Sequence, residues 1–233
     1  MTLDRRHEIT RLEAFSDAVF AFALTLLVVS LEVPRSYEEL ILLVRGFLPF
    51  ACCFALLIWI WYEHSAFFTR YRIHDRLAVV LNASLLFVVL FYVYPLKYVF
   101  NEMFSFMLPH PEHAAVLTPG ELANIFTIYG IGYASVFVLF AMLYHHAWRR
   151  RVVLRLDPAE AYEARLEMGG QLVSAAIGLL AAAWAVFAPR QYAVVSISGF
   201  IYMLMGPAHA TYGAWEGRRR RAFARAAHAS TEA

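Results

Sequence analysis

Residues 11–34 read RLEAFSDAVFAFALTLLVVSLEVP, and this stretch decides the fold class. From Ala18 to Val29 it is apolar except for one threonine, and a membrane-spanning helix needs about 20 predominantly apolar residues. A carboxylate, Asp17, lies about a turn and a half inside the start of the stretch. A charge in a bilayer costs about 2.5–3.5 kcal/mol at the centre and less near the edge. We therefore predict a first transmembrane helix whose Asp17 is turned toward other helices and paired.

Apolar stretches of the same kind continue along the chain. Of its 233 residues, 61% are hydrophobic and 16% are charged, whereas a soluble domain carries roughly a quarter charged residues. Polar or proline-bearing breaks separate six predicted spans, at about 12–33, 40–68, 76–107, 120–147, 166–188 and 191–213. Pro95 is expected to kink the third span, because proline removes an intrahelical hydrogen bond. The sequence predicts an all-α polytopic membrane protein, with residues 1–217 as a single transmembrane domain and residues 218–233 as a basic tail.

Basic residues are distributed unevenly between the two ends of the spans. Sixteen of the 20 lysines and arginines lie on one side, and the other side holds only Arg35, Arg45, Lys97 and Arg190. By the positive-inside rule this predicts that both termini are cytoplasmic. The run Arg218–Arg221 is expected to lie on anionic membrane lipid rather than on nucleic acid. Lys97 is the single lysine beside nineteen arginines, and we interpret it as a coding bias.

The first span has two different faces when its residues are placed at about 100° intervals. One face carries a stripe that consists of Arg11, Phe15, Ala18, Phe22, Leu26 and Val29, with Thr25 on its flank. Ser16 and Asp17 point to the far side. Polar groups in lipid must be satisfied within the bundle, so the Ser16 face is expected to pack against helices of the same chain. The stripe faces lipid, a neighbouring subunit or a central axis, and the pattern does not choose among these three.

A motif in this span resembles that of a known family. The spacing of Arg11, Phe15, Ser16 and Asp17 matches the RxxxFSD motif of the transmembrane protein 175 family, the prokaryotic relatives of the animal lysosomal potassium channel. Trp61 and His64, near the end of the second span, resemble the family's Trp-x-x-His pattern. Asn82, Leu85 and Leu86 in the third span fit as well. The resemblance covers the first three spans, while the last three agree only in topology.

The resemblance implies a passive, potassium-selective channel that lacks a carbonyl filter. Such channels are homotetramers of six-helix subunits in the cell membrane of a prokaryote, with the first helix at the pore axis and potassium as the permeant ion. By position, Phe22, Leu26 and Val29 would form the pore constrictions, and Thr25 would form a polar layer beside them. Rings of apolar side chains can gate a pore by dewetting. This chain has a phenylalanine where the family usually has a branched aliphatic residue.

The same resemblance implies that Arg11, Phe15, Ser16 and Asp17 hold the first helix against its own bundle, with Trp61 and His64 as supporting residues. The main alternative function is a proton-coupled secondary transporter that uses Asp17, Glu63 or His64, or else a proton-permeable cation channel. Transporters usually show two related halves, and residues 12–107 and 120–213 show no convincing similarity. A non-conducting scaffold is a third hypothesis.

Other patterns predict structure rather than chemistry. The chain has no nucleophile constellation or phosphate-binding loop, so we predict neither an enzyme nor a resident cofactor. His110 and His113, with Glu112, lack a third fixed ligand, and no metal site is predicted. Residues 129–133, YGIGY, superficially resemble a carbonyl filter, but they lie inside the fourth span and are interpreted as helix packing. Small residues recur every four positions in the fifth span, at Gly170, Ser174, Gly178 and Ala182, which predicts a close helix contact.

Overall fold

The computed structural model describes residues 10–31, 33–105 and 117–229, and the regular secondary structure in these ranges is entirely helical. The helices are α1 (Arg11–Val29), α2 (Tyr37–Arg45), α3 (Phe47–Tyr71), α4 (Arg76–Ser105), α5 (Pro119–Arg149), α6 (Pro158–Phe187), α7 (Tyr192–Ile201), a 3₁₀ turn (Tyr202–Leu204) and α8 (Met205–Ala229). Within these described residues, six segments are long and apolar enough to cross a membrane, the last of them formed by α7 and α8 together. The predicted all-α class with six spans is confirmed.

The second predicted span, 40–68, consists of two helices rather than one. The short helix α2 ends at Arg45, and α3 begins at Phe47 after Gly46. Pro49 has no N–H to donate to the carbonyl of Arg45, and its ring would clash there, so a continuous helix is interrupted. Proline is tolerated at the third position of α3, because the first N–H groups of a helix have no intrahelical partner.

Helix α6 begins eight residues before the predicted fifth span, 166–188, and its start is polar. The Asp157 side chain accepts a hydrogen bond from the Glu160 backbone N–H at 2.7 Å, and Glu160 accepts one from the Asp157 N–H at 3.0 Å. This reciprocal pair is a capping box, which fixes a helix start through side chains rather than through apolar residues. Hydropathy therefore located the membrane-crossing part of α6 but missed its first two turns.

The sixth predicted span, 191–213, is interrupted by the 3₁₀ turn at Tyr202–Leu204. Pro207 cannot donate a hydrogen bond to the carbonyl of Met203, so regular α-helical bonding cannot pass through this point. Helix α8 then continues through residue 217, the predicted end of the transmembrane domain, to Ala229. In contrast, α4 runs unbroken through Pro95.

The first compact unit contains the helices of residues up to 117, and in it α1 packs against both α3 and α4. The buried side chains of α1 are Ser16, Phe20, Ala23 and Leu27. They recur at the three- and four-residue spacing of one helical face. On the other two helices of this contact, Phe67 and Phe68 of α3 and Leu85 and Val89 of α4 are also fully buried or nearly so. This packing determines which face of α1 is left outside the unit.

The second compact unit contains the helices from residue 118 onward, and its main contact runs along α5 and α6. A Cβ atom added to Gly130 would lie 2.7 Å from the carbonyl oxygen of Gly178 and 2.8 Å from the Cβ of Ala182. Only glycine allows the backbones to approach so closely. YGIGY is therefore part of a helix–helix contact, as predicted, and Gly178 and Ala182 of α6 face it. Gly170, in contrast, faces Tyr212 of α8.

Candidate functional site

The face of α1 that carries the predicted stripe is exposed at the surface of the unit. Phe15 is 60% exposed, Phe22 55% and Val29 72%. Arg11 and Ala18 are exposed as well. Large apolar side chains in a contiguous exposed row are typical of a surface that meets lipid, another protein or a subunit copy. The stripe thus lies opposite the buried Ser16 face, as the helical geometry predicted.

Two residues of the predicted constriction set differ from the others. Leu26 is only half-buried against the unit, so its side chain lies at the edge of the stripe rather than at its centre. Thr25 is exposed, and its hydroxyl donates to the carbonyl of Ala21 at 2.8 Å within the same helix. That bond uses the hydroxyl proton and leaves lone pairs of Oγ1 available to a cation or water.

A chain of hydrogen bonds joins α1, α4 and α3 inside the core. The Ser16 hydroxyl donates to the carbonyl of Leu12 at 2.8 Å, so its oxygen accepts from the Asn82 side-chain amide at 2.9 Å. The Asn82 carbonyl oxygen then faces His64 Nε2 at 2.6 Å. Since an amide oxygen can only accept, Nε2 carries the ring proton. Ser16, Asn82 and His64 are each at most 1% exposed, and this chain positions α1 on the other two helices.

His64 is the last residue of this hydrogen-bond chain, and its ring lies among aromatic side chains. Its ring centroid lies 5.4 Å from that of Phe20 on α1 and 4.6 Å from that of Phe68 on its own helix. Its second nitrogen, Nδ1, is buried without a hydrogen-bond partner among the residues that the structure describes. The imidazole therefore contributes both a hydrogen bond and apolar packing at the crossing of α1 and α3.

Asp17 lies beside this hydrogen-bond chain, at the edge of the α1–α3 contact. The indole Nε1 of Trp61 donates to its Oδ1 at 2.8 Å. The carboxylate is paired, as expected for a charge near the membrane, but its side chain is exposed rather than turned into the bundle. The reason is geometric: Asp17 is rotated by about 100° from the buried Ser16, which leaves it at the rim where Trp61 reaches it.

A capping box fixes the start of α1. The Thr10 hydroxyl accepts from the Glu13 N–H at 3.2 Å, and the Glu13 carboxylate accepts from the Thr10 N–H at 2.8 Å. A threonine followed three residues later by a glutamate is the capping-box signature. That signal was readable in the sequence just before the motif.

The far end of α1 is held by Lys97 of α4. Its Nζ donates to the backbone carbonyl of Ser30 at 2.7 Å and to the Ser30 hydroxyl at 2.9 Å. A cation at a helix C-terminus satisfies free carbonyls and interacts favourably with the helix dipole. The interpretation of Lys97 as a coding bias is wrong. An ionisable residue inside a predicted span is a functional candidate by default, and that signal could have identified it.

Replacing Lys97 with methionine is expected to lower the free energy of unfolding by about 1.5–3 kcal/mol, the contribution of hydrogen bonds to a charged group. Methionine keeps most of the apolar stem but cannot bond to Ser30. Thermal unfolding of the detergent-solubilised protein, followed by tryptophan fluorescence, measures the change. Lys97→Arg is the matched control, because it retains the charge and should lose less stability. Equal stability of the methionine variant and the original protein would show that this contact does not hold α1.

The structure does not place the other ionisable residues considered in the sequence at this site. His110, Glu112 and His113 lie outside the described residues. Glu63 is half-buried on α3 and next to His64 in sequence. The arrangement therefore joins Ser16, Asp17, Trp61 and His64 of the predicted set, adds Asn82 as the central link, and leaves Phe22, Thr25 and Val29 outward.

Known protein families and curated relatives resemble this chain. The family model described as endosomal/lysosomal potassium channel TMEM175 matches residues 11–92. A protein of Marivirga tractuosa named "Potassium channel" is 33% identical over 220 residues, which cover 91% of this chain and 89% of the relative. A potassium channel of Chamaesiphon minutus is 28% identical over 150 residues, which cover 61% of this chain and 65% of the relative.

Solved structures resemble it too. The crystal structure of a variant of the potassium channel MtTMEM175, in which alanine replaces a threonine, was determined with a nanobody–MBP fusion protein. It superposes with a TM-score of 0.80 at 31% identity, over 94% of this chain and 99% of that one. A lysosomal potassium-selective channel TMEM175 homolog from Chamaesiphon minutus shares the fold, with a TM-score of 0.54 at 24% identity over 87% of this chain and 96% of that one.

Proposed function

The chain belongs to the TMEM175 family of potassium channels, and from that premise we propose that it conducts potassium passively through a pore lined by α1. The observation that carries the proposal is the division of α1 into two faces. One face is anchored inside the unit through Ser16, while Phe22 and Val29 project outward. A helix held in this way presents its apolar stripe at a fixed angle to whatever lies beyond the unit.

We propose that a central axis lies beyond the stripe, in a homotetramer of this chain. Four copies of α1 would then place rings of Phe22 and Val29 around the axis, with Leu26 as a secondary member of the constriction because it is half-buried. Apolar rings close a pore by excluding water and open when water returns. The phenyl ring of Phe22 is the largest of these groups and would form the narrowest point.

Thr25 would form the polar layer of the pore. Its hydroxyl proton is bonded to Ala21, so its lone pairs can replace water around an ion. Potassium holds its hydration shell more weakly than sodium does, and partial dehydration at apolar rings therefore favours potassium. The proposed function needs neither catalysis nor a resident cofactor, and its ligand is the permeant potassium ion.

We also propose the orientation and the membrane. The excess of basic residues on one side, sixteen of 20, supports cytoplasmic termini for a multi-pass protein of a prokaryotic cell membrane. Membrane lipid is the remaining partner of the proposed tetramer, and nucleic acid has no part in it. Of the family motif residues, Ser16 and Asp17 would act as positioning residues, with Trp61 and His64 in support. Arg11 and Phe15 were expected to do the same, but both are exposed on the stripe.

The proposal is tested with purified protein in liposomes that contain potassium and a flux indicator. Potassium is expected to flow down its gradient without a proton gradient or a second substrate, and faster than sodium. Protein-free liposomes are the control. Native mass spectrometry counts the chains in the assembly, with four expected.

Flux that requires a proton gradient would overturn the passive channel in favour of the alternative, a proton-coupled transporter. Loss of that coupling in Asp17→Asn would assign the coupling to this carboxylate. Passive flux of protons in place of potassium would instead support a proton-permeable cation channel. No flux from a folded tetramer would leave the scaffold hypothesis.

A further inference from the structure

Two arginines contact the same tryptophan at the end of α5. The guanidinium carbon of Arg151 lies 4.8 Å from the ring centroid of Trp148, and that of Arg165 on α6 lies 5.1 Å from it. The two guanidinium groups are therefore at most about 10 Å apart. Stacking on an indole restricts a guanidinium plane and leaves its N–H edge available. One aromatic ring thus contacts two positive groups.

The connection between α5 and α6 is folded so that Arg151 turns back toward Trp148. The Leu154 N–H donates to the Arg150 carbonyl and the Leu156 N–H to the Arg151 carbonyl, both at 2.9 Å. The Arg151 side chain itself donates to the Trp148 carbonyl at 3.2 Å. These bonds make the connection a compact turn rather than an extended loop, so Arg151 is positioned by the backbone around it.

Two carboxylates at the start of α6 are engaged in its capping box. Asp157 and Glu160 bond to each other's backbone N–H groups in the capping box. Arg151 and Arg165 are both exposed, and their charges remain accessible to an anion from outside. Guanidinium groups match phosphate well, because their planar N–H pairs can bond two oxygens at once.

The depth of Trp148 in the membrane indicates which phosphate is available. The apolar part of α5 ends at Tyr144, followed by His145 and His146. Trp148 is four residues further along, which is about 6 Å at the rise of an α-helix. This is the depth at which interfacial tryptophans lie and at which phospholipid phosphates are found.

We propose that Trp148, Arg151 and Arg165 form a binding site for the phosphate of an acidic phospholipid. The two guanidinium groups bind the phosphate oxygens, and the indole keeps the arginines in place at the headgroup layer. A net negative headgroup such as phosphatidylglycerol binds in preference to a zwitterionic one, because the site carries two positive charges. The site consists only of residues of the second unit, and the proposal does not depend on the proposed pore.

Native mass spectrometry of the intact protein in detergent, with phosphatidylglycerol or phosphatidylcholine added, tests the proposal. The original protein is expected to retain phosphatidylglycerol preferentially. Arg151→Gln together with Arg165→Gln should weaken that binding about thirtyfold, since each basic residue near a membrane surface contributes about 1 kcal/mol and about 1.4 kcal/mol corresponds to a factor of ten. Trp148→Leu should weaken it as well, because the arginines lose their support while their charge is kept.

Arg149→Gln is the matched control for Arg165→Gln alone, because each removes one charge from an exposed arginine and Arg149 is next to Trp148 in sequence. An equal loss of lipid binding in this control would overturn the site and leave only diffuse attraction to basic residues. Displacement of the lipid by millimolar inorganic phosphate would also overturn it, in favour of a soluble ligand. If the double variant does not fold, Arg165→Gln alone should show a partial loss, and unchanged binding in that variant would contradict the proposal.

Discussion

Phe22→Ala is expected to raise potassium conductance about tenfold and to reduce the preference for potassium over sodium. In the proposed pore, four phenyl rings surround the axis at the narrowest point, and alanine would let water and hydrated ions pass. A tenfold increase in rate corresponds to a barrier lowered by about 1.4 kcal/mol. Selectivity should fall because ions would no longer shed water at this ring. Single-channel recording in planar bilayers, with potassium and sodium on opposite sides, measures both quantities.

Phe187→Ala is a suitable control for this variant. Phe187 is 85% exposed at the end of α6, and removing its ring makes the same chemical change on a helix that does not line the proposed pore. It should leave both conductance and selectivity unchanged. An unaltered current in Phe22→Ala would remove Phe22 from the permeation path, and the stripe would then face lipid or a neighbouring subunit without lining a pore.

Asn82→Leu is expected to lower the free energy of unfolding by about 2 kcal/mol, even though leucine has nearly the same shape. The change breaks the bonds to Ser16 and His64 and leaves both groups buried without their partner. Interhelical hydrogen bonds in membranes contribute about 0.6–2 kcal/mol each. Because the chain of bonds positions α1, channel activity should decline together with stability. Titration with a denaturing detergent, followed by tryptophan fluorescence, measures the loss.

Ser84→Ala provides the comparison on the same helix. The Ser84 hydroxyl donates to the Val80 carbonyl of α4 itself, at 2.9 Å, so its removal breaks no contact between helices. The stability of Ser84→Ala should stay close to that of the original protein. The stability of Ser16→Ala should lie between those of Ser84→Ala and Asn82→Leu. If Asn82→Leu is as stable as Ser84→Ala, the hydrogen-bond chain does not anchor α1.

Much of the fold could be predicted from the sequence, because membrane spans depend on long apolar runs that are visible in composition. The two faces of α1 could also be predicted, since helical periodicity alone separates Phe22 from Ser16. The exact burial of Asp17 could not, because its environment depends on where Trp61 reaches from α3. Periodicity gives an angle around one helix but not the distance to another.

The ends of the helices and the contacts between distant residues were harder to predict from the sequence. The breaks at Gly46 and Tyr202–Leu204 arise from single prolines whose effects hydropathy averages out. The Ser30–Lys97 contact joins residues 67 positions apart, and no local pattern specifies that pairing. Its one available signal was the rarity of a charge within a span. The charge of Lys97 is plain in the sequence, but the excess of arginine over lysine suggested coding bias as a simpler explanation.

The two polar anchors of α1 have a mechanical consequence for gating. Ser16 is joined to Asn82 and Ser30 to Lys97, so α1 and α4 run parallel, with about 20 Å between the two attachment points. Because α1 is bonded to α4 at two points, it can neither rotate about its axis nor move lengthwise without breaking one of these hydrogen bonds. In the proposed pore, the aperture would therefore change in one of two ways. Either side chains such as Phe22 swing between rotamers, or α1, α3 and α4 tilt together as one rigid lever.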